Sequence, residues 1–307
     1  MPTPHPTVAR AQAFCQAYDL TLPILLAPMA GAIDWELAVA VSEAGGLGSI
    51  PAAMLDAKRL ADQVAKYRAR SPRPVNFNFF CHRPPVPSNA RESLWRDRLK
   101  PYYREFGIDP SAPVPSSMRA PFDEAFCAVV EELRPEVVSF HFGLPEKPLL
   151  ARVKATGCRI LGSATTADEA KFLEDAGCDA VIAQGYEAGG HRGMFLTEDI
   201  ATQIGTFALV PQVADAVKIP VIAAGGIADA RGIAASFALG ASGVQIGTTF
   251  LWTAEAKISA LHRAALKEAR SDATTLTNIM SGRPARGIVN RAIRELGPIS
   301  DRSESVV

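Results

Sequence analysis

The chain predicts a (β/α)8 barrel, an α/β fold of eight parallel strands ringed by helices, with a small additional capping region. Two observations lead there. Short apolar runs alternate with helical stretches along nearly all 307 residues, the pattern of repeated strand-helix units. Those runs are continuously apolar, as strands covered on both faces must be. A third observation separates the barrel from a doubly wound sheet. Such a sheet carries its glycine fingerprint in the first unit, with an acidic ribose ligand nearby. Here the first unit reads Ala27-Pro28-Met29-Ala30 and the glycine loops come late.

The strands follow in order. Ile24–Ala27 is the first, leaving through Pro28-Met29-Ala30-Gly31. A helix over Trp35–Ala44 stops at Gly45-Gly46, since glycine readily ends a helix. Leu47–Ile50 is the second strand. Asp56–Arg70 is a helix with an apolar side at Leu60, Val64 and Tyr67. Val75–Phe79 is the third strand. Residues 81–120 are rich in proline and charge and too long for an ordinary loop; they predict an insertion contributing to a cap, with a helix over Glu92–Phe106. Helix Phe122–Leu133 and strand Val137–Phe140 restore the pattern. Helix 146–155, strand Cys158–Leu161, helix Thr166–Ala176 and strand Ala180–Ala183 continue it. Helix Thr206–Val217, strand 221–223, helix Ala230–Leu239 and strand Gly243–Ile246 complete eight units. A single domain over 1–307 results, with 251–307 expected as a C-terminal helical segment closing near the site.

Composition narrows the function. Hydrophobic residues make up 48% of the chain, enough for a large core. Basic and acidic residues balance at 32 each, so no long-range field draws nucleic acid or anionic membrane, and neither is expected as a partner. No apolar run approaches a membrane span. Five cysteines, at 15, 81, 127, 158 and 178, show no metal-ligand spacing. An odd count with no signal segment predicts a reducing cytoplasm. Apolar loop residues suit a homodimer or a cap equally.

Chemistry is expected at the strand ends. Tyr186-Glu187-Ala188-Gly189-Gly190-His191-Arg192-Gly193 follows the sixth strand, Gly225-Gly226 the seventh and Gly247-Thr248 the eighth. Barrels commonly bind phosphate with their last loops. Glycine lets backbone N–H groups converge on an anion, and Thr248 or Thr249 adds a hydroxyl. Asn76, Gln184 and Gln245 are amides in apolar strands and need partners. A planar ring with alternating donors and acceptors supplies them, and flavin fits; backbone or water would serve as well. His141 ends the fourth strand between Phe140 and Phe142, whose apolar surroundings favour the neutral imidazole of a general base. A structural histidine is the plainer reading. His191 contacts cofactor or substrate, or fixes its loop. His82 is a weaker candidate, and His5 and His262 are not expected to take part. Cys81 reads as an ordinary buried thiol.

On Asn76-Phe77-Asn78-Phe79-Phe80, Ser139-Phe140-His141-Phe142-Gly143, Glu187–Gly193 and Ser281-Gly282-Arg283-Pro284-Ala285-Arg286, the chain resembles bacterial nitronate monooxygenases, formerly 2-nitropropane dioxygenases, and within them the class I branch. The likeness spans almost the whole chain. It implies non-covalent FMN surrounded by Met29, Asn76, Gln184, Gly189, Gly190, Gly225, Gly226, Gln245, Gly247 and Thr248. It places His141 at the catalytic-histidine position and Ser281 beside the active site. It implies oxidation of alkyl nitronates by dioxygen to carbonyl compounds and nitrite, without reduced nicotinamide. Some members also take neutral nitroalkanes, from which the histidine removes the α-proton. One departure is a shortage of tyrosines near the site, Tyr186 being the best placed, so Phe79, Phe140 and Phe142 are expected to line the cavity. An FMN-dependent enoyl-thioester reductase is the nearest enzymatic alternative, and a flavin-binding scaffold without turnover is another.

Overall fold

The computed structural model of the chain describes residues 5–84, 86, 88–109, 112 and 119–301. Positions 85, 87, 110, 111 and 113–118 of the expected insertion, and 302–307 of the C-terminal segment, lie outside the described residues. In chain order the elements are α1 (Pro6–Tyr18), β1 (Ile24–Leu26), α2 (Trp35–Glu43), β2 (Gly48–Pro51), α3 (Ala57–Arg68), β3 (Val75–Phe80), α4 (Asn89–Phe106), α5 (Glu124–Leu133), β4 (Val137–His141), α6 (Lys147–Ala155), β5 (Arg159–Ala164) and α7 (Ala167–Asp175). There follow β6 (Ala180–Gln184), β7 (Gly190–His191), α8 (Thr206–Ala216), β8 (Val221–Ala224), α9 (Ala230–Ala238), β9 (Gly243–Ile246), α10 (Ala260–Glu268), β10 (Thr274–Thr277), β11 (Ala285–Ile288) and α11 (Arg291–Leu296).

Eight strands form one parallel sheet in the order β1-β9-β8-β6-β5-β4-β3-β2. The two edges meet, because Leu47 N donates to the carbonyl of Ile24 and Leu26 N to that of Leu47, both at 2.9 Å. The sheet is therefore a closed (β/α)8 barrel. Several helix starts are written locally. Asp34, Asp56, Asp123, Thr166 and Asp229 each accept a backbone N–H of the first turn, each such cap contributing about 1 kcal/mol.

Alternation along the strands sorts side chains into two layers. Leu25, Leu47, Val137, Leu161, Ala180, Ile182 and Ile222 fill the lower barrel interior. Phe77, Phe79, Val138, Phe140, Ile160, Val181, Ala183 and Val244 pack outward against the helices. Two residues at a time, the inward rows then become polar toward the C-terminal mouth: Asn76 and Asn78 on β3, Ser139 and His141 on β4, Gln184 on β6, Gln245 on β9. Parallel register puts Asn76 beside Val137, Asn78 beside Ser139 and Phe80 beside His141.

Two features depart from expectation. The N-terminal stretch is a helix whose Phe14 and Tyr18, four residues apart on one face, plug the bottom of the barrel. Only two large apolar residues mark that face, too few for a periodic signal. The C-terminal segment is also not simply helical. Between α10 and α11 it carries β10 and β11, which with the two-residue β7 make an antiparallel sheet. The partner of β11 is the glycine loop itself, pairing Ala285 with His191 and Arg286 with Gly190. Such a strand exists by tertiary pairing, which local propensity does not report. Against this unit lies α4: Trp95, Leu99 and Tyr102 pack on Ile279, Ile293 and Leu296, and Arg291 pairs with Glu105 at 2.6 Å. The insertion helix and the C-terminal stretch thus share one small core.

Candidate active site

The mouth of the barrel gathers an aromatic and imidazole cluster. Phe80 ends β3 on the inward row. Its ring centroid lies 5.7 Å from His141, 5.1 Å from Phe142, 6.1 Å from His82 and 6.2 Å from His191. Phe142 has a left-handed backbone, φ 67°. That conformation is uncommon for a bulky residue and marks positions where function outweighs strain. It sets the Phe142 ring 4.6 Å from His141 and 5.9 Å from both His82 and His191. Phe79 and Phe140 do not line this space. They sit at outward positions, buried against Phe122 and Phe126, because a strand turns successive side chains to opposite faces. Phe80 and Phe142 are the lining aromatics. Tyr186 stays exposed, its ring under the Arg286 guanidinium at 4.7 Å.

His141 is half-buried, and its Nε2 lies 3.2 Å from the carbonyl oxygen of His191. A carbonyl only accepts, so this bond assigns the ring proton to Nε2 and the lone pair to Nδ1. Burial pushes the imidazole down to about 4; the bond to the His191 carbonyl opposes that and the Arg192 charge reinforces it. His141 is therefore neutral at neutral pH. Gly193 packs directly on the ring: a Cβ there would stand 2.7 Å from Cε1 and 3.0 Å from Nδ1. His191 is held down to about 3 by burial, with His141, Arg119, Arg283 and His82 adding to the effect. Its Nε2 meets Ser281 Oγ at 2.7 Å, which joins β7 to the Ser-Gly-Arg-Pro turn.

The glycine loop is pinned by Gln184, in a role the sequence did not suggest, and by Arg192 and Glu169. Gln184 Nε2 donates to the His191 carbonyl at 2.9 Å, and its Oε1 accepts from Gly193 N at 2.7 Å. Its amide serves the loop, where the sequence suggested a cofactor. Arg192 is 1% exposed. Its guanidinium donates to Gln203 Oε1 and to the carbonyls of Gly185 and Gln184 at 2.6–2.8 Å, a satisfied buried cation. Glu169 receives Phe195 N at 2.7 Å and Thr165 N at 2.7 Å, tying the next turn to α7. A buried arginine or glutamate gives no signal in a single sequence, because its burial depends on distant carbonyls.

Asn76 is 1% exposed; its Nδ2 donates to Ser49 Oγ at 3.0 Å, whereas its Oδ1 has no partner. A buried unsatisfied acceptor is costly and points to a donor supplied by a bound group. A flavin ring, which carries a ring N–H between two carbonyls, meets that need. The glycine loops after β6 and β9 are close-packed. A Cβ on Gly247 would lie 3.3 Å from Ala27 Cβ and 3.5 Å from Met29 Sδ, and one on Gly189 would lie 3.3 Å from Thr248 Oγ1. Gly225 and Gly226 hold φ of 122° and 68°. Gln245 is half-exposed on its inward position. The residues present fit a flavin. Of the expected site residues, His141 and Gln184 at the ends of β4 and β6 both bond the His191 carbonyl beside Gly189 and Gly190, Ser281 bonds the His191 ring, and Thr248 abuts Gly189. Asn76 stands apart from the histidines, bonded to Ser49. His5 and His262 are exposed, on α1's cap and on α10. Among the described residues no acidic, histidine and cysteine cluster suits a metal ion.

A family profile described as Nitronate monooxygenase matches residues 14–304. The chain belongs to the nitronate monooxygenase family. A nitronate monooxygenase of Pseudomonas aeruginosa is 45% identical over 279 residues, 91% of this chain and 80% of that protein. One of Paraburkholderia phytofirmans is 44% identical over 270 residues, 87% and 74% of the respective chains. Among solved structures, a nitroalkane oxidase from Streptomyces ansochromogenes superposes with a TM-score of 0.83 at 40% identity, covering 93% of this chain and 81% of that one. FabK from Thermotoga maritima gives 0.71 at 31% identity, covering 92% and 76%. Nitronate monooxygenation is the enzyme class that family membership assigns, and the family is generally flavin-dependent. No helix among the described residues is long and apolar enough to cross a membrane.

Proposed function

We propose that the chain binds FMN without a covalent link at the barrel mouth and oxidises alkyl nitronates with dioxygen, releasing a carbonyl compound and nitrite. The observation that carries the site assignment is His141: a neutral imidazole at the mouth, with its ring proton committed to the His191 carbonyl. Gly225, Gly226, Gly247 and Thr248 would hold the phosphate, with Gly189 and Gly190 closing the side. Asn76 Oδ1 would accept from the flavin ring, and Met29 and Gln245 would flank it. Gln184 supports the site through the loop. Bound there, FMN supplies a one-electron acceptor and a relay to dioxygen.

The chain's own residues do the rest. Phe80 and Phe142 exclude water from the imidazoles, which keeps them neutral. When the substrate is a neutral nitroalkane, His141 Nδ1 accepts the α-proton and leaves the nitronate anion; the imidazolium later releases that proton to solvent. When the nitronate enters preformed, no base is needed and the same ring orients it. The Gln184 and His191 contacts hold the ring for either task. Ser281 fixes His191 and places the C-terminal unit beside the reacting space.

The test is direct. Purified protein should be yellow and should release FMN on denaturation. It should consume oxygen and release nitrite from a preformed nitronate with no nicotinamide present. Rapid flavin reduction by NADH or NADPH supporting enoyl-thioester turnover, with no nitronate oxidation, would overturn the proposal in favour of the reductase. Bound FMN with neither activity would favour the scaffold.

A further inference from the structure

The aromatic cluster holds a third imidazole that the mechanism above leaves unused. His82 lies two residues beyond β3 and is 5% exposed, and its Nδ1 is buried without a hydrogen-bond partner. Its ring stands edge-on to Phe80 and Phe142, the two rings that His141 and His191 also face. A histidine that merely packs in a core finds partners for its nitrogens. This one lacks a partner where three imidazoles converge on Phe80 and Phe142, which leaves its Nδ1 free to meet a bound group.

The surroundings say what that group is. The Arg283 guanidinium lies 5.3 Å from the Phe142 ring centroid, and its Nη2 donates to the carbonyl of Arg83, the residue after His82, at 3.3 Å. Arginine and imidazole are thereby tied to one short stretch of backbone. Burial, helped by Arg283, pushes His82 down to about 4, so its ring is neutral and offers one N–H. Arg119 and Arg283 both act on neighbouring His191, and Glu198 is the carboxylate whose charge reaches Arg283. Positive charge from Arg119 and Arg283 reaching His191, next to a neutral N–H on His82, suits an acceptor bearing negative charge. A nitronate presents two anionic oxygens and no donor.

We propose that His82 is a substrate-contacting residue whose Nδ1–H donates to an anionic oxygen of the bound nitronate, beside the positive field of Arg283. The proposal rests on the nitronate reading above. No bond is made or broken by His82; it selects and orients the anion.

The test uses holoenzyme and nitrite, an anion of similar oxygen geometry that undergoes no turnover. Nitrite binding is followed through the flavin absorbance, and KM is measured for a preformed nitronate. Asparagine carries its Nδ2 where histidine carries Nδ1, so His82→Asn keeps a donor, whereas His82→Leu removes it. The leucine variant should weaken nitrite binding and raise KM by about tenfold or more, and asparagine should stay within about threefold of wild type. Equal changes in both variants, or none in either, would overturn the contact. A readout on the unaltered protein covers poor folding of a variant. In histidine-15N-labelled holoenzyme, the His82 Nδ1 proton should move downfield on saturation with nitrite, and an unmoved resonance would also overturn it. Wild-type turnover of a nitronate tests the underlying activity. Nitrite binding needs no turnover, so the two claims fail separately.

Discussion

Gly193 offers the most quantitative test of the site, because its lack of a side chain has one visible consequence. In Gly193→Ala the new Cβ would stand 2.7 Å from His141 Cε1, 3.0 Å from Nδ1 and 3.2 Å from Ser163 Cβ. Ordinary carbon contacts lie at about 3.5–4.0 Å, so the imidazole must retreat by roughly 0.8–1.3 Å. The backbone at Gly193 is not left-handed, so alanine brings no dihedral strain and the contact is the whole effect. A misplacement of about 1 Å at a reacting group costs on the order of 100-fold in rate. Overpacking of this kind costs about 1–3 kcal/mol of stability, which the barrel should survive. The assay is kcat/KM for nitrite release from a neutral nitroalkane at matched FMN content. Gly287→Ala serves as control, since a Cβ there meets nothing within 4 Å. A Gly193→Ala enzyme as active as the control would refute the placement of His141 as the proton acceptor.

Three further outcomes follow from the same geometry. Asn76→Leu removes the acceptor that the flavin ring is proposed to satisfy and should weaken FMN binding by about tenfold; fluorescence titration of the apoprotein checks it, and an unchanged Kd would remove Asn76 from the cofactor site. Gly226→Ala forces a side chain to φ 68°, at about 1–2 kcal/mol, and should lower FMN occupancy in the purified protein before thermal melting shows an unfolded barrel; full occupancy would move the phosphate elsewhere. His82 and His141 lie near 4 and His191 near 3, all below the ordinary 6.5. The unfolded chain therefore binds protons below pH 6.5 that the fold refuses, so their contribution is intact above 6.5 and is lost as pH falls toward 4. Denaturant titrations should show that loss, on the order of 3 kcal/mol for His82 alone, and the loss should shrink in His82→Asn.

The strands and most helices were legible because each is marked locally: continuous apolar runs, aspartate and threonine caps, glycine stops. The glycine loops after β6, β8 and β9 were legible because positive φ and close approach demand glycine wherever they occur. What escaped depended on distant partners. Phe79 and Phe80 differ only in strand parity, and the register with β4 decides which one meets His141. Arg192 is a surface residue by type, buried by carbonyls that only the folded loop presents. The β7–β11 pairing joins residues about 95 positions apart, and neither segment is strand-like enough to announce it. His82 looked secondary beside His141 because its burial comes from Phe80, Phe142 and the late Arg283.

The central claim is that His141 is the base for neutral substrates at a flavin-bearing barrel mouth. It is tested most directly by comparing wild type with His141→Ala on a neutral nitroalkane and on its preformed nitronate, at equal FMN occupancy. The account predicts a fall of about 100-fold or more on the neutral form and a much smaller fall on the nitronate, whose α-proton is already gone. Undiminished turnover of the neutral nitroalkane by His141→Ala would contradict it.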